Sequence, residues 1–425
     1  MGLSLASMCF NFRRRVQAES SELMRYRLSE IEITRPLDPL EFEADESGAA
    51  LLIRRNGRPI GFLMRQNSDK RAWSEKELSE WISHELRTKI VEEAIRDEIA
   101  LSPASKPFPS LSVAICTRDR PATLSRCLES VLALQRSYRF ELLVIDNAPS
   151  DQSTAKLVER FSEARYVLEK CPGLNFARNR AWLEASGDII AYLDDDVVVD
   201  SGWLAGLRES WAENPDAAAF TGLVMPLSLD TRAQVLFEKR NGFRRGFDKN
   251  RFGQELPGNP LYPCGAGIFG AGCNMAFRRQ ILCELGGFDE ALDTGPSLPG
   301  GGDLDIFYRI IRAGYVLVYE PSFMVFHEHR ASDSALRRQY YTWGLGFMAF
   351  VEKNYRSDVV ERTRFRRLVI WWGSDQILQL KQALCGEHVL PFSMVLAEFC
   401  GGVVGIFGEY SRSLKRVAAV RNAGV

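Results

Sequence analysis

Short apolar runs alternate with segments of helical periodicity in the middle of the chain. The first run covers residues 111–116, and Pro121 then opens a segment whose apolar positions have helical spacing. Further strands are predicted at residues 141–145, 166–168 and 189–193, and further helices at residues 151–164 and 175–185. This alternation predicts an α/β domain with a mainly parallel sheet and helices on both faces.

The pattern before this domain is different. Strand-like runs at residues 49–54 and 60–65 flank the turn residues Asn56 and Gly57, which predicts a hairpin. A helical stripe follows from Ser74, and three prolines within residues 102–109 indicate a linker.

After Arg330 the periodicity is helical again. We therefore expect three regions: a small α+β N-terminal domain with its linker (residues 1–108), the α/β domain (109–331) and a helical C-terminal region (332–425).

Polar residues follow three of the predicted strands. They are Thr117 to Arg120 after the first strand, Asp146 and Asn147 after the second, and Asp194, Asp195 and Asp196 after the fourth. The carboxyl ends of parallel strands share one sheet edge, where ligands of open α/β sheets bind. Carboxylates at two of these ends suit a nucleoside together with a divalent metal, because hard cations prefer oxygen ligands.

The acidic triplet has two interpretations. Three adjacent aspartates can form a solvated turn or a helix N-cap. Here, however, an apolar strand delivers them to the sheet edge, where like charges are costly unless a cation is bound. We therefore predict a Mg²⁺ or Mn²⁺ site.

Two further clusters carry candidate chemistry. Asp303 and Asp305 follow three glycines at the start of a predicted helix, as a general base or simply as part of a well-capped helix. His327 and His329 would share one face of a strand, as a metal pair does, although a structural role stays open for the one that is not a ligand.

Composition limits the partners and the compartment. The net charge of −1 argues against a broad basic surface for nucleic acid, so no nucleic-acid partner is expected. Nine cysteines lack close CxxC spacing, which favours buried thiols in a reducing, cytoplasmic compartment.

The membrane question concerns two segments. Residues 3–10 are too short for a signal peptide and precede three arginines rather than following them. Residues 389–407 are apolar but contain Pro391 and Glu398, which predicts a packed or surface-lying amphipathic helix rather than a span. Peripheral contact at the inner face of a membrane stays open, as does a plain solvated face for the basic residues 362–367.

Taken in order, these segments resemble family 2 glycosyltransferases with the GT-A fold. The resemblance rests on VAICTRDRP at residues 113–121, LVIDN at 143–147, GLNFARN at 173–179, YLDDD at 192–196, GCNMAFRR at 272–279 and GGFD at 286–289. It extends over about residues 111–330, and consistent order makes it more specific than any single motif.

The resemblance implies roles for individual residues. The donor would contact Thr117, Arg118, Asp119, Asp146, Asn147, Arg178, Asp194 and Asp195. Asp196, Asp194 and His327 would hold Mn²⁺ or Mg²⁺, and Gly272 and Asn274 would lie on the acceptor side. Asp303 matches the family's catalytic base. Gly302, however, stands where the family commonly has glutamate, which leaves the choice of base open between Asp303 and Asp305.

The implied activity is that of a metal-dependent inverting glycosyltransferase of the hexosyltransferase type. It would move a single sugar from a nucleoside-diphosphate donor to a glycan or lipid-linked acceptor, in cell-surface or secondary glycan synthesis.

Two alternatives remain. The altered residue before Asp303 would suit a non-catalytic nucleotide-sugar binding module. A nucleotidyltransferase is a weaker alternative, because residues 117–121 contain neither the glycine nor the lysine of a phosphate-binding loop.

Overall fold

The computed structural model describes residues 24–67, 71–99, 107–136 and 138–422. The predictions for residues 3–10 and for most of the linker at residues 102–109 lie outside this part of the chain.

The N-terminal unit is a small sheet covered by one long helix. Its elements are β1 (Arg25–Glu32), β2 (Leu40–Glu41), β3 (Glu46–Arg55), β4 (Arg58–Gln66), β5 (Ala72–Trp73) and α1 (Glu75–Ile99). The predicted hairpin is the β3–β4 connection, where Asn56 and Gly57 have φ of 50° and 79°. Positive φ at both central residues is the geometry that joins tightly paired antiparallel strands.

Within the described ranges, nine strands form the central sheet. They are β6 (Leu111–Thr117), β7 (Glu141–Asn147), β8 (Ala164–Glu169), β9 (Ile189–Asp194), β10 (Val197–Val199), β11 (Ala217–Pro226), β12 (Asn250–Phe252), β13 (Asn274–Arg278) and β14 (Val316–His327). Their order is β10-β14-β11-β13-β9-β6-β7-β8, with β12 paired to β14. β6 to β9 are mutually parallel, whereas β13 is antiparallel to both neighbours. The prediction of a mixed, mainly parallel sheet is confirmed.

Helices cover both faces of this sheet. They are α2 (Pro121–Leu134), α3 (Ser153–Val158), α4 (Leu174–Glu184), α5 (Trp203–Glu213), α6 (Arg232–Lys239), α7 (Arg279–Glu284) and α8 (Gly302–Arg312). Successive residues of β6 enter opposite cores: Val113 and Ile115 pack on one side, Ala114 and Cys116 on the other. This burial on both faces explains why the strand is an unbroken apolar run.

One predicted helix is much shorter than expected. The periodicity over residues 151–164 predicted a single helix, but α3 ends at Val158. Turn hydrogen bonds follow, from Phe161 N to Val158 O (2.9 Å) and from Ala164 N to Phe161 O (3.0 Å). These turns place Phe161 against the apolar core and allow Ala164 to begin β8.

The C-terminal region is helical, as predicted. It comprises α9 (Asp333–Ser357), α10 (Arg362–Cys385), α11 (Phe392–Ile406) and α12 (Glu409–Asn422). α9 and α11 cross in backbone contact, since a Cβ added at Gly344 would lie 2.0 Å from Glu398 O and one at Gly401 would lie 1.9 Å from Tyr341 O. The apolar segment around Glu398 is therefore packed on one side against α9.

Within the described residues, no single helix combines the length and hydrophobicity needed to cross a bilayer. α11 and α12 meet those criteria only as a pair, and the pair is bent by 66°.

Candidate active site

A cavity of about 760 Å³ opens at the carboxyl edge of the sheet. The ends of β6, β7 and β9 form its floor, as the sequence predicts for a parallel sheet. Its other walls come from the loop before α8 and from α9, α10 and α11. The predicted site residues on these walls are Thr117, Arg118, Asn147, Arg178, Asp194, Asp195, Asp196, Gly272, Asp303 and His327.

The three aspartates of the triplet face three different environments. Asp195 accepts hydrogen bonds from Thr117 Oγ1 (2.7 Å) and Arg120 Nη1 (3.0 Å). Asp196 accepts from the same Arg120 nitrogen (3.0 Å) and lies 3.3 Å from His327 Nε2. Asp194 instead lies 3.9 Å from Arg178 Nη2. Asp195 therefore holds Thr117 and Arg120 in place through hydrogen bonds, whereas Asp194 and Asp196 lie on different sides of the cavity.

A chain of hydrogen bonds fixes the protonation of His327. His329 Nε2 lies 2.7 Å from Glu238 Oε1, and the two histidines meet through their Nδ1 atoms at 3.1 Å. A carboxylate can only accept, so we assign the Nε2 proton of neutral His329 to this bond. His329 Nδ1 must then accept from His327 Nδ1–H. The remaining lone pair, on His327 Nε2, faces an oxygen of Asp196.

Burial supports this neutral state. It lowers the pKa of His327 to about 4 and that of His329 to about 3, more than nearby Asp196 can raise them. Burial raises the pKa of Asp196, but the attraction of its carboxylate to protonated His327, to Arg120 and to Arg330 lowers this pKa by more. The pKa of Asp196 is therefore below its ordinary value. Since His327 is neutral near pH 7, the arginines are the cations that keep Asp196 ionised there.

The Asp196–His327 pair fits a divalent cation. Two lone pairs face each other at 3.3 Å, which is unfavourable unless a cation lies between them. Carboxylate oxygen and imidazole nitrogen together suit Mn²⁺. Among the described residues, no group of three or more His, Cys, Asp or Glu side chains is placed to ligate one ion. The predicted three-ligand set with Asp194 is therefore not brought together, and substrate phosphates and water would have to complete the coordination, as is common for Mg²⁺ sites.

Asp194 belongs to a second charged group, centred on Arg178. Arg178 is buried and also approaches Asp293 Oδ2 (3.4 Å). Burial raises the pKa of Asp194 to about 7, opposed by Arg178 and reinforced by the neighbouring aspartates. One arginine is thus shared by the partly exposed Asp194 and the buried Asp293, and this side of the cavity favours an added cation or proton.

The structure separates the two candidate bases. Asp303 lines the cavity, and its Oδ2 accepts from Gly272 N at 3.0 Å. Asp305 is fully buried and is held by Lys353 (2.5 Å) and Arg309 (2.7 Å). Burial raises the pKa of Asp305, but these two cations lower it more. Asp305 therefore cannot reach substrate and is poorly suited to take a proton, so we correct that assignment and retain Asp303.

The glycine before Asp303 has a structural explanation. A Cβ added at Gly302 would lie 2.3 Å from Asn175 Nδ2 and 2.4 Å from Asp293 Oδ2. The Asp293 carboxylate accepts from Gly302 N (3.0 Å), so it occupies the space that a side chain at residue 302 would need. A carboxylate is thus supplied to the first turn of α8 from another segment of the chain.

The predicted nucleoside-side residues cluster beyond the ends of β6 and β7. Asp146 is fully buried, and its Oδ2 accepts from Tyr166 Oη at 3.0 Å. Within the described residues its Oδ1 has no hydrogen-bond partner. Asn147 donates to Cys171 O (2.7 Å), and Asp119, with φ of 55°, accepts from Ser150 N (2.8 Å). Asp119 and Asn147 therefore shape this end of the site through the backbone.

The two predicted acceptor-side residues have different roles. Gly272 lies on the cavity wall, where a Cβ would approach Arg178 and Asp303 to within 2.9 and 3.0 Å. Asn274 is fully buried, donates to Phe323 O (2.7 Å) and accepts from Trp203 Nε1 (3.0 Å). It holds strands and a helix together, so its assignment to the acceptor side was wrong.

Sequence reasoning missed several residues of the cavity. These residues come from loops and helices that are far apart in sequence, and they belong to no motif. They are Arg120, Arg245, Asp293, Arg330, Gln339, Trp343, Trp372 and Glu398. Only Arg120 had a local signal, since it follows the same strand end as Thr117.

Comparisons with known proteins agree with the resemblance. Residues 112–286 match the sequence profile described as glycosyl transferase family 2. A glucosyl-dolichyl phosphate glucuronosyltransferase of Haloferax volcanii is 27% identical over 42% of this chain and 56% of its own length. A pre-mycofactocin glycosyltransferase of Mycobacterium tuberculosis is 30% identical over 39% and 32%, and a succinoglycan biosynthesis protein of Rhizobium meliloti is 29% identical over 55% and 72%. The chain thus spans less than two thirds of the first two of these relatives.

Among solved structures, a mannosyltransferase of Pyrobaculum calidifontis in complex with GDP-Man and Mn²⁺ has a TM-score of 0.48 and 15% identity, over 78% of this chain and 97% of that one. The profile match includes the strands that carry the acidic triplet and the other polar strand ends, and the predicted α/β fold with a mainly parallel sheet is confirmed. Over residues 112–286 the chain is therefore similar to glycosyl transferase family 2.

Proposed function

We propose that this chain is a metal-dependent inverting glycosyltransferase that moves one sugar from a nucleoside-diphosphate donor to an acceptor hydroxyl. The observation that carries the proposal is the composition of the cavity. One wall presents the Asp196–His327 pair, another presents Asp303, and five arginines of the described chain line the same space. A cation site, a base and phosphate-binding groups are the three components that such a displacement requires.

The arginines account for the diphosphate. Arg118, Arg120 and Arg330 line the cavity at its Asp196 side, and the last two lie 3.0 and 3.8 Å from Asp196. Guanidinium groups match phosphate oxygens in geometry and charge. Arg120 is held by both Asp195 and Asp196, so it is oriented before the donor arrives.

Asp303 takes the proton of the acceptor. Gly272 N holds Asp303 Oδ2 in place, while Asp303 Oδ1 accepts from Leu304 N (2.9 Å) at the start of α8. The acceptor oxygen attacks the anomeric carbon as Asp303 removes its proton, and the bond to the diphosphate breaks on the opposite face. A divalent ion at Asp196 and His327 would neutralise charge on the departing diphosphate.

The acceptor is a glycan or a lipid-linked glycan in this proposal, with a role in cell-surface or secondary glycan synthesis. Support comes from two relatives, a glucosyl-dolichyl phosphate glucuronosyltransferase and a succinoglycan biosynthesis protein. The proposed compartment is the cytoplasm, and the buried free thiols Cys116, Cys127, Cys264 and Cys273 support a reducing environment.

The alternatives lose part of their support. A non-catalytic binding module was motivated by Gly302, but Asp293 fills that space and Asp303 remains on the cavity wall. A nucleotidyltransferase would release pyrophosphate from a nucleoside triphosphate, whereas a glycosyltransferase releases a nucleoside diphosphate. Product analysis separates the two.

A thermal-shift panel of UDP-, GDP- and dTDP-sugars, each with Mn²⁺, with Mg²⁺ and with chelator, tests the proposal. A ligand that binds only the folded state raises the melting temperature. We expect at least one nucleotide sugar to do so with metal present, and the shift to be lost in Asp196→Asn. Asp38→Asn, at an exposed carboxylate outside the cavity, is the matched control. The proposal would be contradicted if the melting temperature rose equally with metal and with chelator, or if no nucleotide sugar of the panel raised it.

A further inference from the structure

The outer side of α10 is an apolar stripe that no element of the described residues covers. Its exposed positions recur with helical spacing from one end of the helix to the other. They include Ile370, Trp371, Ile377, Leu378 and Leu384, and Trp371 is 54% exposed. The inner side of the same helix carries Trp372, which lines the cavity. The stripe is therefore not a remnant of the core but the second face of a helix whose first face is already packed.

α11 has a similar stripe. Phe392, Leu396, Val403 and Val404 are exposed on one side of this helix, and Phe407, which follows it, is 74% exposed. The two helices are packed together, because the rings of Trp372 and Phe399 stack at 6.2 Å with an angle of 8° between their planes. Soluble monomers seldom expose this much apolar surface on adjacent elements, and such patches usually mark an interaction site.

The charges around the stripes point to the occupant. Residues 362–422 contain nine Arg or Lys and four Asp or Glu, although the whole chain has a net charge of −1. Arg367 and Lys381 are exposed on α10, and Arg412 and Lys415 are exposed on α12. Of the four acidic residues only Glu387 is fully exposed, in the turn after α10. An apolar strip flanked by cations, with an aromatic residue at its edge, matches the surface of an anionic bilayer.

We propose that α10 and α11 dock this chain on an anionic membrane surface, with the apolar stripes in the interface and Arg367 and Lys381 at the headgroups. This inference goes beyond the proposed transfer reaction and does not depend on it. The inner faces of the same helices line the cavity through Trp372 and Glu398. Docking would therefore hold the cavity next to the bilayer, where a lipid-linked acceptor is located.

The test is co-sedimentation of the full chain with phosphatidylcholine vesicles that do or do not contain phosphatidylglycerol. We expect binding to the anionic vesicles that weakens as salt is raised. The paired substitution Ile370→Ser with Trp371→Ser should reduce binding about tenfold or more, and Arg367→Gln with Lys381→Gln should reduce it by a similar factor. Ile95→Ser with Ile99→Ser on α1 is the matched control. Those side chains are about as exposed as Ile370 and Trp371, but they lie outside the basic segment of residues 362–422.

Circular dichroism of each variant checks that the fold is retained. Equal binding to both kinds of vesicle, or loss of binding in the α1 control, would overturn the proposal. A second contradicting result would be a dimer in light scattering that dissociates in the Ile370 and Trp371 variant, together with no binding to either vesicle. The stripes would then cover each other in two copies of the chain. Since the readout is binding, its failure leaves the proposed transfer activity to its own test.

Discussion

At the scale of single residues, His329 determines what His327 can do. Sequence spacing placed the two histidines on one face but left open which of them meets the metal. The structure favours His327 through Glu238, a residue of α6 that is distant in sequence and had no motif. The Glu238 carboxylate also pairs with Arg244, so it stays ionised and accepts from the proton-bearing Nε2 of His329. His329 Nδ1 then accepts from His327 Nδ1–H, which leaves the lone pair of His327 on Nε2.

Replacing His329 with phenylalanine should therefore weaken metal binding without removing a ligand. The aromatic ring can keep its contact with Phe237, whose centroid lies 4.7 Å away, but cannot accept the hydrogen bond of His327. We expect the affinity for Mn²⁺, measured by electron paramagnetic resonance in the presence of a nucleoside diphosphate, to fall about 10- to 100-fold. His84→Phe, at an exposed histidine of α1, should have no effect. An unchanged Mn²⁺ affinity in His329→Phe would show that the relay does not orient the ligand.

Asp146 gives the donor site a predicted pH dependence. Burial raises its pKa to about 6, and Asp119 and Asp151 add to this, while Tyr166 opposes it. A donor N–H or O–H that reached the buried Oδ1 would be bound more strongly by the ionised carboxylate than by the neutral acid. Donor affinity, measured by calorimetry from pH 8 down to pH 5, should be constant at first and decrease below about pH 6. Because the pKa of Asp146 is higher in the folded state than in the unfolded chain, its protonation stabilises the fold, so acid should weaken the donor complex without weakening the fold through this residue.

Asp146→Asn should bind donor with an affinity that no longer changes over that pH range. If its profile instead follows that of the wild type, another group is responsible for the titration.

At the scale of elements, the sequence predicted most strands and the positions of the polar strand ends. The apolar runs are unambiguous because β6, β7 and β9 are buried on both faces. It overestimated the helix of residues 151–164, because periodicity does not show where tertiary packing of Phe161 ends a helix. It could not show that α9 and α11 close the cavity, since their contact depends on glycines that fit only once both helices are in place.

The α9–α11 contact can be tested at a single glycine. A Cβ at Gly344 would lie 2.0 Å from the backbone oxygen of Glu398, so Gly344→Ala must push the helices apart. We expect a loss of about 1–3 kcal/mol in the free energy of unfolding. Gly373→Ala on α10 is the control, because nothing lies within 4 Å of its added Cβ and alanine favours a helix. Equal stability of the two variants would show that the close approach is not needed.

At the scale of the whole molecule, the N-terminal unit packs against the central α/β domain. The Arg54 guanidinium, on β3, pairs with the buried Asp200 at 2.5 Å, and Tyr26 N donates to Leu229 O at 2.8 Å. Arg244, the partner of Glu238, lies over the ring of Phe62 on β4. The unit therefore packs against the segment that holds the histidine relay, a role that its hairpin and helix pattern could not reveal.

Arg54→Met should leave the Asp200 carboxylate buried without its ion pair. Breaking such a pair from one side costs about 3–5 kcal/mol, measurable by urea unfolding. Arg55→Met is the neighbouring control, because Arg55 pairs with Asp97 inside the N-terminal unit and both side chains are more exposed. Arg55→Met should lower the free energy of unfolding by about 1 kcal/mol or less. Similar losses in the two variants would mean that the interface does not depend on Arg54.

The central claim is that Asp303 is the base of a sugar transfer from a nucleotide donor held by Asp196 and His327. The most direct measurement compares wild type with Asp303→Asn, recording release of nucleoside diphosphate with Mn²⁺ alongside calorimetric affinity for the donor found in the panel. We predict that release falls about 10²- to 10⁴-fold while donor affinity is nearly unchanged. Retained release in Asp303→Asn, or pyrophosphate in place of nucleoside diphosphate, would contradict the account.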